Sequence, residues 1–166
     1  MPNPMQHVYT DTQYLHASIF PITDDEIIAK SEFDRVLNNR NSQILIKLPF
    51  VVVGETVNNI HRDNDLSETD KADIIRNLLN IMGNDKVDMC PPTVNCFELA
   101  KRLVTEDNRL DDTDSLIVAH ALCDIYSSLL LMRDKKVLAS AKIDEINKEL
   151  YESGKRHRIL HIRPNF

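Results

Sequence analysis

The sequence predicts an α/β fold: a three-layer α/β/α sandwich around a mainly parallel central sheet, with residues 1–166 forming one domain. Three observations lead there. Strand-like apolar runs alternate with helical periodicities along the chain, and right-handed crossovers then place helices on both faces of a sheet. Hydrophobic residues make up 42% of the chain but aromatic ones only 5%, so the core is aliphatic, which suits helices on a sheet better than an all-β fold. Residues 127–132, Ser-Ser-Leu-Leu-Leu-Met, are the most continuously apolar strand candidate, as a strand covered on both faces requires.

In chain order, residues 7–11 read as the first strand and residues 12–20 as a short helix or loop ended by Pro21. Thr23 caps the next helix, since Glu26 lies three residues on and completes a capping box; Ile27, Ile28, Phe33, Val36 and Leu37 supply its apolar stripe. Residues 43–48 form the second strand. Pro49 fits the first turn of a helix running to about Arg62. The acidic stretch 63–73 is a solvated lead-in to a helix bearing Ile74, Ile75, Leu78, Leu79 and Met82, which stops at Gly83 and serves either the core or a dimer face.

Residues 87–90 make a brief third strand stopped by Pro91 and Pro92. An amphipathic helix follows over 93–106, through Val94, Phe97, Leu99, Ala100 and Leu103, and residues 111 to about 125 are helical again. Strand 127–132 is expected to sit centrally. Residues 135–152 read as one long charged helix ended by Gly154, and 156–162 as a last strand alternating basic and apolar side chains. There is no internal repeat, low-complexity tract or linker.

Composition removes several function classes. Three glycines in the whole chain leave no phosphate-cradling loop and no Gly-x-Ser-x-Gly nucleophile elbow. Cys90, Cys96 and Cys123 are odd in number and lack Cys-x-x-Cys spacing, which argues against a disulfide framework or structural zinc and for a reducing, cytoplasmic setting. The six histidines show no local zinc spacing. The opening MPNPMQ carries neither a basic nor an apolar export region, and no apolar stretch is long enough to span a bilayer, so no membrane role is expected. A net charge of -6 disfavours non-specific nucleic-acid binding.

Carboxylates are the abundant reactive groups that remain. Asp11 closes the first strand in VYTD, Glu55 lies in the opening turns of the helix after strand two, Asp114 begins the helix DSLIVAHAL, and Asp134 closes the strand LLLMRD. In an open parallel sheet, the carboxyl ends of strands and the amino ends of the following helices share one rim. Four acids on that rim repel one another, and a hard cation such as Mg²⁺ or Mn²⁺ relieves the repulsion. Such ions would ionise a water and stabilise the leaving oxygen of an in-line phosphodiester displacement. Taken singly, an aspartate at a strand end or helix start also has a purely structural use as a turn or cap residue.

These residues bring a family into view. The chain resembles the PIN domain, and within it the VapC-type toxins and their small stand-alone relatives. The likeness rests on Asp11–Thr12 ending the first strand, on Glu55, and above all on residues 114–138, DSLIVAHALCDIYSSLLLMRDKKVL, which supply Asp114, Ile117, Ala121, Arg133 and Asp134. The resemblance implies a metal-dependent endoribonuclease that hydrolyses RNA phosphodiester bonds, with the four acids as Mg²⁺ or Mn²⁺ ligands. It also implies a homodimer and an antitoxin partner, as in a VapBC pair. Two departures stand out: Met132 where the family usually has Ser or Thr, and Gln13 where Ser or Asn is common. They leave open a catalytically weak PIN-like adaptor that binds RNA or protein. A phosphoacceptor receiver domain fits less well, because no adjacent acidic pair follows the first strand.

Among neighbouring residues, Asp111 and Asp112 read as cap and dipole residues outside the site. Arg133 and Lys135 are candidates to steer a scissile phosphate, and Thr12 to hold a metal-bound water. His120 reads as a packed helix residue. The tail residues Lys155, Arg156, Arg158 and Arg163 form a candidate RNA-backbone patch or a charged edge-strand guard.

Overall fold

The computed structural model describes residues 5–39 and 42–166; the MPNP part of the opening segment lies outside the described residues. Five strands form one all-parallel sheet in the order β3-β2-β1-β4-β5. They are β1 (Gln6–Thr10), β2 (Ile44–Pro49), β3 (Val87–Cys90), β4 (Ser127–Leu131) and β5 (His161–Arg163). The helices are α1 (Thr12–Ile19), α2 (Asp24–Asn38), α3 (Phe50–Arg62), α4 (Glu68–Met82), α5 (Val94–Glu106), α6 (Asp112–Cys123), α7 (Lys135–Leu138) and α8 (Ala141–Glu152).

The chain first steps outward from β1 to β2 to β3, then crosses back to β4 and on to β5. With right-handed crossovers, that reversal puts α1–α4 on one face and α5–α8 on the other. The helix contacts agree: α1 packs on α2 and α3, and α3 on α4, while α5 packs on α6 and α8. The three-layer sandwich expected from the sequence is therefore present. Its core is aliphatic as composition required, with Ile46, Leu48, Leu130 and Leu131 in the sheet, Leu15, Val52, Ile60 and Leu78 below, and Leu103, Ile117 and Leu122 above. The few aromatics join it where Tyr14 meets Phe33 edge to face.

Element boundaries follow local chemistry. Thr23 and Glu26 form the capping box at α2, and Ser67 with Asp70 forms a second one that starts α4 within the acidic lead-in. Gly154 takes a left-handed φ of 72° just past α8, a conformation that costs a residue without Cβ nothing.

Several expectations are corrected. Strand β4 is interior, but β1 is the middle strand. Ile27 and Ile28 are 54% and 53% exposed, and the buried residues of α2 are Ala29, Phe33 and Val36. Val94 and Phe97 likewise face outward, and α5 buries Cys96, Ala100 and Leu103. The single helix expected over 135–152 is broken into α7 and α8. Ser140 starts the second by accepting the Ile143 N–H and donating to Asp107 at 2.7 Å, a local bonding choice that competes with helix continuation.

The last strand is only three residues long, and Arg156 before it is no surface residue. It is 2% exposed, and its guanidinium donates to the carbonyls of Ala121, Leu122, Asp124 and Ser127 at 2.6–3.1 Å. A buried cation thus closes the carboxyl end of α6, where the helix dipole is negative and carbonyls lack partners. The tail patch accordingly shrinks to Lys155, Arg158 and Arg163.

Candidate active site

Reversal of strand order between β1 and β4 opens a crevice at their carboxyl ends, the place where open α/β sheets bind ligands. Asp11 and Asp134 occupy the two lips. Asp11 immediately follows β1 and is 2% exposed. One carboxylate oxygen accepts the Tyr14 N–H at 2.5 Å, capping α1; the other accepts the Arg133 N–H at 2.8 Å across the crevice. The Asp11 N–H in turn donates to Leu131 O at 2.9 Å, so β1 and β4 are stitched together past their last paired residues.

Asp134 follows β4 and caps α7 by accepting the N–H groups of Lys136 and Val137. Glu55 projects from the second turn of α3 and accepts the Thr12 hydroxyl at 2.5 Å, which ties α3 to the start of α1. Asp114 is the third residue of α6, not its cap: Asp111 caps the helix by accepting the Asp114 N–H at 2.8 Å. Glu55, Asp114 and Asp134 are all half-buried.

Electrostatics ties these positions together. Burial pushes the Asp114 carboxyl up to about 7, reinforced by the charges of Asp111, Asp134, Asp11 and Glu55 in that order. Asp11 rises to about 6 through burial, against the opposing pull of its two backbone donors and of Arg133. Asp114 therefore feels all three other acids named from the sequence. Among the described residues, no three His, Cys, Asp or Glu side chains already converge as a closed ligand set. The donor chemistry nonetheless fits a hard divalent ion: one buried and three half-buried carboxylates, two of the four resisting ionisation until a cation offsets the repulsion. Two buried hydroxyls without partners, Thr10 Oγ1 and Ser115 Oγ, neighbour Asp11 and Asp114 in sequence.

Beside the crevice, Thr12, Gln13, His16, Glu26, Asn59, Asp63 and Arg133 line a hollow of about 320 Å³. Arg133 stacks over Tyr14 and donates to Asp25 O and Asn165 Oδ1, so its side chain is braced by α1, α2 and the tail. Met132 is fully buried and Gln13 is exposed. Sequence reasoning missed the brace on Arg133; the cap role read for Asp111 is present, and the spacing Asp111-x-x-Asp114 is that of a cap and its third residue.

The fold is the PIN fold of solved VapC structures, helices on both faces of a five-stranded parallel sheet. It aligns with VapBC2 from Rickettsia felis, bound to a promoter DNA fragment, at TM-score 0.60 and 13% identity, covering 97% of this chain and 99% of that one. It also aligns with VapC20 from Mycobacterium tuberculosis, a Sarcin-Ricin loop cleaving toxin, at TM-score 0.59 and 14% identity, covering 80% and 95%. No family model matches the sequence, and neither does any curated protein. Among the described residues, no helix is long and apolar enough to cross a membrane.

Proposed function

We propose that residues 1–166 act as one PIN-like nuclease domain, a metal-dependent endoribonuclease whose Asp11, Glu55, Asp114 and Asp134 hold one or two Mg²⁺ or Mn²⁺ ions. The reading rests above all on the meeting of strand ends and helix starts at one rim of the sheet, where burial first, and then the charges of Asp111, Asp134, Asp11 and Glu55, raise the Asp114 carboxyl. When bound, the cation supplies Lewis-acid activation of a water and neutralises charge on a scissile phosphate. Within the chain, the Tyr14 and Arg133 N–H groups fix Asp11, Thr12 orients Glu55, and the first turn of α7 fixes Asp134. Arg133 borders the hollow where a phosphate backbone would lie.

The fold shared with two VapC structures supports a toxin of a VapBC-type pair with an antitoxin; a homodimer and a cytoplasmic setting belong to the same proposal. The deciding experiment is RNA cleavage with and without EDTA, on the chain and on Asp11→Asn. Mg²⁺- or Mn²⁺-dependent cleavage that Asp11→Asn abolishes supports the proposal; cleavage undiminished in that variant refutes it. A second reading, a non-cleaving adaptor, is favoured by Met132, which buries a thioether where the family resemblance expects a hydroxyl. Mn²⁺ binding seen by calorimetry without cleavage of any RNA would select it.

A further inference from the structure

The hollow beside the crevice is walled by two helix faces that begin at the crevice itself. On α3, Glu55, Asn59 and the C-cap Asp63 follow at four-residue steps, so they stand in one row along the helix at intervals of about 6 Å. Thr12 and His16 form the matching row on α1. The Thr12–Glu55 hydrogen bond joins the two rows at their head, and α1 packs on α3. From the carboxylates the rows lead into the hollow, where Asn59, Asp63, His16, Gln13 and Arg133 line about 320 Å³.

Much of the polar capacity there is unspent. The side chains of Gln13, His16 and Asn59 have no hydrogen-bond partner among the described residues; the His16 ring is held edge-on by Phe20 at 6.2 Å. Asp63 receives the Asp65 N–H on Oδ1 at 2.9 Å and keeps Oδ2 open. Arg133 Nη2 is spent on Asp25 O at 3.2 Å and Asn165 Oδ1 at 3.3 Å, which leaves both protons of Nη1 free. Glu26 is already engaged, since one of its oxygens takes the N–H groups of Ile22 and Thr23 and its charge faces Arg133.

These open groups select a class of ligand. A bare anion is repelled by Asp63 and a bare cation by Arg133, whereas a molecule with an anionic end and a neutral edge of donors and acceptors suits both. A nucleotide is built that way. Its phosphate suits Arg133 Nη1, and an unpaired base is read along its Watson–Crick edge and stacked on a ring such as that of His16. The volume lies at the small end of ligand pockets, with room for one nucleoside and not for a base pair. Guanine alone among the bases presents two adjacent donors, N1–H and the exocyclic amine, which one carboxylate receives as a charge-assisted pair. Adenine and cytosine set an acceptor beside their amine, and uracil sets a carbonyl on each side of its N–H. The free amides of Asn59 and Gln13 can serve the remaining guanine acceptors, O6 and N7.

We infer, resting on the nuclease reading of the crevice, that the hollow takes an unpaired guanine of the RNA strand next to the scissile phosphate, and that Asp63 sets this base preference. The test measures anisotropy of labelled single-stranded uridine pentamers carrying G, inosine, A, C or U at the centre, with the full chain in EDTA so that metal-dependent cleavage does not intervene. The guanine strand should bind at least about fivefold more tightly than the A, C and U strands, with inosine, which lacks the amine, in between. Asp63→Asn, its folding checked by the melting midpoint, should bring the guanine strand down to the others and shift the others less than about twofold. Equal affinity for all strands, no binding of any, or a guanine preference that survives Asp63→Asn would overturn the inference. Free GMP binding as tightly as the guanine strand would also overturn it, by assigning the hollow to a small nucleotide. Repeating the series with Mg²⁺ or Mn²⁺ separates the two readings. Guanine preference without EDTA-sensitive cleavage keeps the subsite and retires the nuclease, and cleavage without guanine preference does the reverse.

Discussion

Asp11 carries two duties that can be separated by substitution. One oxygen of its carboxylate caps α1 and the other receives the Arg133 N–H, so Asn, with a single acceptor oxygen, keeps one of the two bonds and Ala keeps neither. Asp11→Asn should unfold in urea within about 1 kcal/mol of the parent, whereas Asp11→Ala should lose about 1–3 kcal/mol through the missing cap and the unsatisfied buried donor. Equal losses would mean that the oxygen pair does not hold the crevice together. Arg156 makes a sharper case. Five oxygens, those of Ala121, Leu122, Asp124 and Ser127 (carbonyl and hydroxyl), depend on its two terminal nitrogens. Arg156→Met should cost at least about 3 kcal/mol by stranding buried carbonyls, and Lys, lacking the planar fork, should recover little of it. If RNA binding is measured, the salt dependence should respond to Lys155 or Arg163 and not to Arg156.

Among the elements, the junction between α7 and α8 is the informative one. Ser140 both caps α8 and donates to Asp107, whose carboxylate also receives Arg109 at the end of α5. Ser140→Ala should lower stability by about 1–2 kcal/mol, and a differential scan should show it as a lower midpoint. This break was hidden in the sequence because Lys135, Val137, Ile143 and Ile146 keep an unbroken helical rhythm across it, and a single serine inside such a rhythm carries little local signal. Elements set by strong local chemistry were legible: the Thr23 box, Pro49 before α3, and the double proline after β3. What failed was the choice of buried face. On α2 and α5 the isoleucines, Val94 and Phe97 were read as core, but tertiary packing turned the smaller Ala29 and Cys96 inward beside Phe33, Val36, Ala100 and Leu103, which the stripes had included. The four acids could be named as candidates because topology, not side-chain identity, puts strand ends and helix starts on one rim; the cavity lined by Cys90, Cys96 and Cys123 could not, since it depends on how α5 lies against α6.

Over the whole molecule, acid–base balance makes folding depend on pH, and on a divalent cation if the crevice takes one as proposed. Asp11 and Asp114 hold protons more tightly when folded, at about 6 and 7, than the ordinary carboxylate near 4 does. Their contribution is therefore undiminished at low pH, and metal-free stability declines as pH rises through those values. Asp107 works in the opposite sense: Arg109 and Ser140 hold its carboxyl well below the usual range, so its contribution is present above about pH 4 and is lost on acidification. Metal-free melting should thus peak in mildly acidic solution. Added Mn²⁺ should raise the midpoint more at about pH 8 than at about pH 5, because only at the higher value are both crevice acids ionised and repelling. Equal shifts at the two values would count against cation binding by these side chains.

Helix α6 has one further implication. From Ser115 through Leu122 all but Leu116 are buried, so the rod that carries Asp114 at one end and leans on Arg156 at the other has almost no wetted side. A saturation library should consequently show an eight-residue corridor in which nearly every polar replacement is lost, bounded by tolerant ground at Asp112 and Tyr126. Diversification of what this protein grips is thereby confined to surface segments around the crevice, such as the acidic span 63–67, where new side chains can be tried without disturbing the interior.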